Sequence, residues 1–366
     1  MTVKTLHYVS VMDRGGEETF IMNVFRTIDR PDYLFDFLVT ADQEGDYDAE
    51  IRQLGGKIRH FRLIKKGGPL KRLLNFFSLI KFLRPLDGEY TTFHIHTQHA
   101  MDALLDGLAG KIAGFHNVAI HSHSTNTLHH LKSHFLCRPL LNHFPFIRLA
   151  CSHKAGKWLF GENGKYELIC NGVIVEKYLY NAQIAETVRE KEGWGGKTVI
   201  GHVGNFTYPK NHEFLLDIFA EYLKLDPDAL LVMAGKGELM DDAVQKAARL
   251  GIQDSVRFLG SRGDVDRLFS AFDILVFPSR YEGLPVTLVE AQAADLPCLI
   301  SNTIAEDTDI NDNLSRMDLG KPASEWAAAV KEMLSDRERT DRSADITKAG
   351  FNIQTTAKRL MEIYNS

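Results

Sequence analysis

The sequence is poor in cysteine, and this scarcity excludes two classes of stabilised domain. Its four cysteines form no C-x-x-C pair, so neither a zinc ribbon nor a disulfide framework is indicated. We expect all four to be buried free thiols in a reducing compartment: Cys137, Cys151, Cys170 and Cys298.

Long apolar runs and a targeting segment are also lacking. No stretch approaches the ~18 consecutive apolar residues of a membrane-spanning helix. The N-terminal segment has only a short apolar run and no small-residue cleavage site. The sequence therefore predicts a cytoplasmic protein, or one that is peripheral on the inner face of the plasma membrane.

Neither sign of charge is in large excess. Lys and Arg total 43 against 48 Asp and Glu, a net charge of −5, so no basic field indicates binding to nucleic acid. Hydrophobic residues make up 44% of the chain, which is ordinary for a globular protein and sufficient for a sizeable core. A length of 366 residues favours two domains.

Strand-like and helix-like segments alternate through both halves of the sequence, a pattern typical of doubly wound α/β domains. The clearest expected strands of the first half are TLHYVSV, DFLVT, TFHIHT and NVAIHSHS. Those of the second half are TVIGHVGN, ALLVMAGKG, SVRFLG and DILVFPS, with PCLIS as the last clear one. Asn171-Gly172 marks a turn in the expected linker. We therefore predict domains at 1–172 and 173–349, followed by a helix over 350–366.

The most informative motif is PSRYEGLPVTLVEAQAADLP, residues 278–297. An expected buried strand ends at Pro278, and a helix is expected to begin after Gly283-Leu284-Pro285. Free backbone N–H groups and the positive end of a helix dipole then meet at one point, which suits a phosphate. Glu282 and Glu290 flank that point, where their carboxylates can accept hydrogen bonds from sugar hydroxyls.

This segment resembles the E-x7-E motif of the family 4 (group 1) retaining glycosyltransferases, which have the GT-B fold. In that fold two doubly wound, Rossmann-like domains face an interdomain cleft. The resemblance covers nearly the whole chain. Within the family it is strongest to bacterial exopolysaccharide and capsule enzymes, through VGNFTYPKNHEFLLDIF, GLPVTLVEAQAADLPCLIS and HSHS.

The resemblance implies a role for each residue of the motif. Glu290 would hold the ribose hydroxyls of a nucleotide-sugar. Glu282, with the backbone of Gly283 and Leu284, would contact the transferred sugar and the diphosphate. It also implies that the C-terminal domain binds the donor, and that the last helix crosses back onto the acceptor-binding N-terminal domain.

A second motif, Gly204-Asn205-Phe206, precedes Lys210 and departs from the family pattern. The family commonly has Arg at the Asn205 position and Lys at the Lys210 position, and the two neutralise the leaving diphosphate. The missing Arg indicates a slower enzyme, a substitute cation such as Lys236 or Arg262, or a chain that binds donor without turnover. A lysine at a helix start is electrostatically unfavourable, which favours a functional role for Lys210.

Three further loops follow expected strands, at the ends where α/β sheets bind ligands. Gly15-Gly16 follows the first strand, and the resemblance places it under the donor diphosphate and near the acceptor; a plain tight turn is the alternative. Gly235-Lys236-Gly237 would lie near the nucleotide. Ser261 and Arg262, after Gly260, would lie near the nucleobase.

Histidines are dense in the first half. His94-x-His96 and His121-x-His123 each place two imidazoles on one strand face. Without an H-E-x-x-H motif or a cysteine at ligand spacing, we predict no metal site. The resemblance implies instead that a histidine near this second pair faces the transferred sugar and acceptor, and both His121 and His123 are candidates.

Residues 65–84 are strongly cationic and apolar. The more favoured interpretation is a helix packed on its own sheet. Its excess of cations and phenylalanines also suits a helix that rests on anionic lipid, which a lipid-linked acceptor would make useful.

Together these features predict a retaining hexosyltransferase that uses a nucleoside diphosphate donor, a UDP-sugar, and a saccharide or lipid-linked saccharide acceptor. The expected catalytic residues are Glu282, Lys210, His121 and His123. No metal cofactor is expected, since a helix N terminus and Lys210 would neutralise the diphosphate. Two alternatives remain: a nucleotide-sugar 2-epimerase, and a non-catalytic nucleotide-sugar binder, which Asn205 and Asp295 would suit.

Overall fold

The computed structural model describes residues 2–64, 70–124, 131–334 and 338–365. It divides into two compact units: unit 1 comprises Met1–Gly172 and Ile353–Ser366, and unit 2 comprises Val173–Asn352. The sequence prediction also placed a boundary after Gly172. The returning segment begins at Ile353, three residues later than the predicted 350–366.

Unit 1 contains a seven-stranded parallel sheet in the order β3-β2-β1-β4-β5-β6-β7. Its strands are β1 (Val3–Val9), β2 (Tyr33–Val39), β3 (Ile58–His60), β4 (Thr92–Thr97), β5 (Asn117–Ser122), β6 (Ile147–Ala150) and β7 (Glu167–Leu168). Its helices are α1 (Gly16–Thr27), α2 (Asp48–Gln53), α3 (Leu70–Leu83), α4 (Ala100–Ala113), α5 (Leu131–Leu141), α6 (His153–Phe160) and, at the C terminus, α15 (Ile353–Asn365). The central strands are almost wholly buried, as expected when helices cover both faces of a parallel sheet.

Unit 2 contains a six-stranded parallel sheet in the order β10-β9-β8-β11-β12-β13. Its strands are β8 (Val199–Val203), β9 (Leu230–Ala234), β10 (Val256–Phe258), β11 (Ile274–Phe277), β12 (Cys298–Ser301) and β13 (Leu314–Met317). Its helices are α7 (Val175–Tyr178), α8 (Ala182–Glu192), α9 (His212–Tyr222), α10 (Met240–Arg249), α11 (Val265–Ala271), α12 (Val286–Ala293), α13 (Ala323–Met333) and α14 (Ser343–Lys348).

Each sheet has a point at which the chain switches direction across it. In unit 1 the chain runs from β1 to β2 and β3 on one side, then continues with β4 on the other. In unit 2 it runs from β8 to β9 and β10, then continues with β11. Open α/β sheets bind ligands beyond the strand ends at such points. The β1/β4 and β8/β11 switch points are therefore the first places to look for a site.

Three local predictions differ from the structure. PCLIS is not the last strand, because β13 pairs with β12; β13 was missed since it is short, polar and only partly buried. Helix α1 begins at Gly16, so the expected glycine turn continues directly into the helix. Strand β5 ends at Ser122, which leaves His123 just beyond it.

Among the described residues, no helix combines the length and the apolar character needed to cross a membrane.

Candidate active site

Lys210 and Glu282 form an ion pair at the β8/β11 switch point of unit 2. Lys210 ends a short 3-10 turn after β8, and Glu282 lies in the loop between β11 and α12. Nζ of Lys210 is 2.7 Å from Oε1 of Glu282, and the side chains are only 17% and 13% exposed. The same ammonium lies 4.6 Å from the ring centre of Phe277, the last residue of β11. The structure thus brings together two residues that the sequence singled out separately.

The N terminus of α12 carries no competing carboxylate. Pro285 is the N-cap residue, no side chain caps the helix, and its first turn contains no acidic residue. The helix begins at Val286, directly after Pro285, where the sequence analysis expected it. Gly283 and Leu284 are buried in the loop just before it. The helix start therefore keeps the positive end of its dipole beside Lys210, an arrangement that suits a diphosphate.

The loops after β8, β9 and β10 are joined by backbone hydrogen bonds. The N–H of Phe206 donates to the carbonyl of Lys236 at 2.9 Å, and the N–H of Gly235 donates to the carbonyl of Gly260 at 2.8 Å. A Cβ atom on Gly235, whose φ is +156°, would lie 2.0 Å from the carbonyl oxygen of Gly204. Gly237 has a similar φ of +155°. These glycines are therefore required by close backbone approach.

Arg262, a candidate substitute for the missing family arginine, is held by two carboxylates, which disfavours that role. Its Nε donates to Asp264 at 2.7 Å and its Nη1 to Glu192 at 3.2 Å, so two carboxylates already neutralise it. The hydrogen bond to Asp264, ahead of the other contacts, raises the pKa of the guanidinium. The neighbouring Ser261 is exposed, and Asn205 is partly exposed.

Arg280, which the sequence analysis did not select, contacts the turn that carries Lys210. Its backbone N–H donates to the carbonyl of Pro209 at 2.7 Å, and its Nη1 donates to the carbonyl of Tyr208 at 2.9 Å. The arginine was visible in the PSRYEG motif, but only the contact with the turn after β8 marks it as a cation near this site. It joins Lys236 as a candidate substitute.

Glu290 is the fifth residue of α12 and is buried, with 6% of its surface exposed. Burial raises the pKa of its carboxyl to about 7, against an opposing hydrogen bond from Tyr178 and the charge of Lys177. Burial therefore favours the protonated form of Glu290 more than that of an exposed glutamate.

Two histidines of unit 2 that the sequence analysis overlooked lie close to Lys210. Nδ1 of His202 donates to the carbonyl of Val276 at 2.9 Å, and the ring of His212 stacks on that of Phe206 with ring centres 4.0 Å apart. Burial, with a smaller contribution from the charge of Lys210, lowers the pKa of His202 to about 4 and that of His212 to about 2. Both are neutral, so Lys210 keeps its role as the charged group. Neither histidine belongs to a recognisable motif, since His202 lies in an apolar strand and His212 at the start of a helix. The sequence therefore did not indicate a role for them.

A histidine chain crosses the β1/β4 switch point of unit 1. Nδ1 of His7 is 2.9 Å from Nε2 of His96, and Nδ1 of His96 is 2.9 Å from Nε2 of His123. His94 bonds instead to the hydroxyl of Tyr364 in α15. Because each ring in the chain must donate at one nitrogen and accept at the other, the tautomers of its three histidines are linked.

His121 and His123 lie on one side of the sheet, with ring centres 4.0 Å apart. His121 is fully buried, whereas His123 is partly exposed beyond the end of β5. His123 is therefore the more accessible of the two candidates.

All five histidines of this cluster are neutral. Burial lowers the pKa of His7 and His123 to about 3 and holds those of His94, His96 and His121 well below the usual value. Two triads offer ring nitrogens within 4.8 Å of one another: His7 with His94 and His96, and His96 with His121 and His123. Neutral imidazole is the metal-binding form, so these are the described residues that could hold a metal ion. The sequence expectation of no metal stays a prediction.

The Gly15-Gly16 loop opens a helix start that is already acidic. Gly15 is the N-cap residue of α1, and Glu17 and Glu18 occupy the first turn. A Cβ atom on Gly15 would lie 2.1 Å from Oε2 of Glu18, so this carboxylate lies against the helix start. A second anion would be repelled there, which disfavours the implied contact with a diphosphate.

Asp295 has a structural role. It adopts a φ of 48° and is buried. Its carboxylate accepts hydrogen bonds from Asn313, from the backbone and hydroxyl of Thr340, and from Arg342. These contacts give Asp295 a role in packing, so its presence does not favour the non-catalytic alternative.

Comparisons with known proteins agree with this architecture. The family model described as "Glycosyl transferases group 1" matches residues 184–351. The chain is 33% identical to a putative glycosyltransferase, EpsF, of Bacillus subtilis (strain 168), over 99% of this chain and 96% of that protein. It is 24% identical to the capsular polysaccharide biosynthesis glycosyltransferase CapH of Staphylococcus aureus, over 100% and 99%. It is 27% identical to an Escherichia coli UDP-Gal:alpha-D-GlcNAc-diphosphoundecaprenol alpha-1,3-galactosyltransferase, over 67% and 64%.

Among solved structures, Anabaena Alr3699/HepE in complex with UDP and glucose superposes with a TM-score of 0.81, at 20% identity over the full length of both chains. That likeness shows the fold, and the near-complete match to EpsF shows the family. The chain belongs to the group 1 glycosyltransferases and has their GT-B fold.

Proposed function

We propose that this glycosyltransferase moves a sugar from a UDP-sugar to a saccharide or lipid-linked saccharide, with retention at the anomeric carbon, in exopolysaccharide or capsule biosynthesis. The observation that carries the proposal is the Lys210–Glu282 pair beside the uncapped, acid-free start of α12. A diphosphate bound there would have an ammonium and a helix dipole to offset its charge.

In the proposed reaction the bond between the anomeric carbon and the diphosphate oxygen breaks while the acceptor oxygen attacks from the same face. The acceptor proton passes to the leaving phosphate. Lys210 would stabilise the charge that grows on that phosphate, and Glu282 would orient the transferred sugar. Glu290 would accept hydrogen bonds from the ribose. His123, with His121 behind it, is the proposed acceptor-side residue of unit 1.

Names of relatives support the donor, the acceptor class and the pathway. CapH is a capsular polysaccharide enzyme, the Escherichia coli relative uses UDP-Gal and a diphosphoundecaprenol acceptor, and HepE binds UDP and glucose. None of the four cysteines, all of which lie among the described residues, forms a disulfide, which supports a reducing compartment such as the cytosol.

We further propose that the reaction needs no bound metal, because Lys210 and α12 supply the charge that a metal would otherwise supply. Chelation should leave the initial rate within about twofold. A loss of rate that manganese or zinc restores would refute this part and direct attention to the histidine triads of unit 1.

The first experiment is a thermal-shift panel of UDP-, GDP- and ADP-sugars, because a ligand that binds only the native state raises its stability. Calorimetry with UDP then separates the two glutamates. Glu290→Ala should weaken UDP binding by ~1.5–3 kcal/mol. Glu282→Ala should lower turnover more than it lowers UDP affinity.

NMR of the donor with and without acceptor distinguishes the remaining possibilities. Transfer produces a new glycosidic linkage only when acceptor is present. Conversion of the donor sugar without acceptor would indicate an epimerase, and UDP binding with no reaction of any donor would indicate a non-catalytic binder. Family membership favours transfer.

A further inference from the structure

The five-histidine cluster of unit 1 leaves half of its ring nitrogens without a hydrogen-bond partner among the described residues. Each ring has two nitrogens. The buried and unpartnered ones are Nε2 of His7, Nε2 of His94, both nitrogens of His121, and Nδ1 of His123. Leaving a buried polar atom without a partner costs about 1–3 kcal/mol. Such a concentration of these atoms indicates a ligand-binding site.

His121 has the strongest need of a ligand. It is fully buried in β5, and neither of its ring nitrogens has a partner in the part of the chain that the structure describes. Each of the other four rings makes at least one hydrogen bond. A neutral imidazole offers one donor and one acceptor, and His121 uses neither.

The register of the sheet brings His96, His121 and His123 together. His96 of β4 and His121 of β5 are paired neighbours, and His123 follows two residues later on the same face. One ring nitrogen from each of the three lies within 4.8 Å of the others. The ring centre of His123 is 4.0 Å from that of His121 and 5.1 Å from that of His96. These nitrogens are close enough for one ion to contact all three after small movements of the rings.

We propose that His96, His121 and His123 bind a divalent transition-metal ion, Zn²⁺, through one nitrogen of each ring. Histidine nitrogens bind zinc at about 2.0–2.1 Å in tetrahedral geometry, which separates two ligand nitrogens by about 3.3 Å. Nδ1 of His96 and Nε2 of His123 are 2.9 Å apart. An ion between them therefore requires a separation larger by only about 0.4 Å. A water molecule would complete the coordination, as it does in other three-histidine zinc sites.

His7 suits the role of a residue that orients a metal ligand. Its Nδ1 lies 2.9 Å from Nε2 of His96, the nitrogen that would not bind the ion. Metal-binding histidines usually donate the N–H of that second nitrogen to a protein acceptor. With its proton on Nε2, His96 donates to His7 and keeps Nδ1 as a ligand. The proton shared by His96 and His123 then moves to Nδ1 of His123, so all three ligands stay neutral.

The other triad, His7 with His94 and His96, is a poorer site. All three of its members are buried, whereas His123 is partly exposed and gives an ion a path to the triad that contains it. Nδ1 of His94 is also bonded to the hydroxyl of Tyr364. Zinc is therefore assigned to the triad of His96, His121 and His123.

The sequence predicted no metal site because it contains neither an H-E-x-x-H motif nor a cysteine at ligand spacing. The proposed site is assembled across β4 and β5, which spacing along one segment does not reveal. It is also distinct from the proposed reaction, for which we infer no metal requirement. Zinc would occupy His123 and should therefore inhibit transfer, and only this inhibition rests on the proposed function.

Cobalt and zinc titrations of the full-length protein test the site, without a polyhistidine tag because the tag would itself bind metal. One Co²⁺ per chain should bind, with the visible absorption of a tetrahedral nitrogen site and without the near-ultraviolet band of a cobalt–thiolate bond. Zn²⁺ should displace the cobalt and raise the melting temperature. Mg²⁺ and Ca²⁺ should do neither, because they prefer oxygen ligands.

Three single variants separate the two triads. His121→Gln removes a ligand without breaking a hydrogen bond among the described residues. It should lower zinc affinity about 100-fold or more, and His7→Phe, which removes the acceptor from His96, should lower it about tenfold. The matched control is His94→Gln, a buried histidine of the same sheet, and its zinc affinity should equal that of the wild type.

Melting temperatures and circular dichroism of the metal-free variants show whether each remains folded. If His121→Gln does not fold, His123→Gln replaces it, because His123 is partly exposed at the end of its strand. That variant should lose zinc affinity to a similar extent.

Three results would overturn the proposal: no binding of Co²⁺ or Zn²⁺ by the wild type, wild-type zinc affinity in a folded His121→Gln or His123→Gln protein, or a cobalt spectrum with a thiolate band. Zinc binding without inhibition of transfer would leave the metal site standing and refute the acceptor-side role of His123. If no donor is turned over but zinc binds as expected, the proposed reaction fails and the metal site stands.

Discussion

Helices α1 and α12 begin in similar settings but differ in the acidic residues of their first turns. Each follows a strand at the switch point of its sheet, β1 or β11, and each begins after a glycine-containing loop without a side-chain cap. The first turn of α1 contains Glu17 and Glu18, whereas that of α12 contains no acid and is preceded by the Lys210–Glu282 pair. A helix N terminus suits an anion only when its neighbours leave it positive. The comparison supports the proposal that a diphosphate binds at the start of α12 rather than at the start of α1.

The two helices also hold carboxyl groups of similar acidity but different exposure. Burial is the main cause that raises the pKa of both Glu18 and Glu290 to about 7. Glu290 is inside unit 2, while Glu18 is partly exposed and repelled by Asp13. Ionisation of Glu290 should therefore affect stability strongly, and solvent should reduce the effect of Glu18.

The largest expected effect is on turnover in Lys210→Ala. Removing the ammonium takes away the cation opposing the charge on the leaving phosphate and leaves Glu282 without its partner, so turnover should fall about 10²–10³-fold. The matched control is Lys246→Ala, because Lys246 is 15% exposed and 2.7 Å from Asp217 in a comparable ion pair on α10. Steady-state kinetics should show near wild-type turnover for the control. A similar loss of turnover in both variants would mean that the loss comes from breaking a partly buried ion pair and not from a role of Lys210 in the reaction.

The next effect is on stability in Glu290→Gln. Burial raises the folded-state pKa of Glu290 to about 7, above the ordinary glutamate value of 4.5, so the folded protein binds more protons between those two pH values. Ionised Glu290 thus costs stability that is absent below about pH 4.5 and fully present above about pH 7, up to about 3 kcal/mol. Glu290→Gln cannot ionise, so it does not lose this stability as the pH rises. Denaturant titrations should show the wild type losing stability relative to the variant as pH rises through this window.

The stability of the wild type must be compared with that of Glu290→Gln at each pH, because the buried histidines change stability with pH in the opposite direction to Glu290. Their lowered pKa values make the folded state bind fewer protons, so their contribution to stability rises with pH. That contribution is common to wild type and variant. A difference in stability that stays constant with pH would show that folding does not raise the pKa of Glu290.

The fold could be predicted largely from the sequence because buried parallel strands are short apolar runs between amphipathic helices. Strand β13 was the exception, since its sequence LSRM is mostly polar and it pairs on one side only. The start of α1 also differs from the prediction, because glycine and glutamate do not mark a helix start clearly.

The site could be predicted residue by residue but not as a set of contacts. Lys210 and Glu282 each belong to a recognisable motif, yet their pairing depends on β8 lying beside β11, which local patterns do not reveal. Arg262 was offered as a spare cation because its partner Glu192 is distant in sequence. His7 gave no signal, since its neighbours His94 and His96 come from β4.

A smaller effect is expected for Asn205→Arg. Arg262 is held by Asp264 and Glu192, so it cannot supply the charge that the family places at position 205. The new arginine should tighten UDP binding or raise turnover by a few-fold, and it should make Lys210→Ala less damaging in the double variant. Calorimetry and kinetics on the single and double variants provide the test. A folded Asn205→Arg protein with unchanged UDP affinity and undiminished sensitivity to Lys210→Ala would show that position 205 does not face the diphosphate.

The smallest effect is expected for Glu18→Gln, and it tests the assignment of α1 directly. At a pH above the Glu18 pKa of about 7, the wild-type side chain is charged, so the variant removes a negative charge from the helix start. If a diphosphate were bound there, losing that charge would relieve repulsion and tighten UDP binding several-fold. We expect UDP affinity by calorimetry to stay within about twofold, as it should in the control Glu325→Gln, which removes a carboxylate from the first turn of α13. Tighter UDP binding in Glu18→Gln alone would place the diphosphate at α1 as well and end the distinction between the two helices.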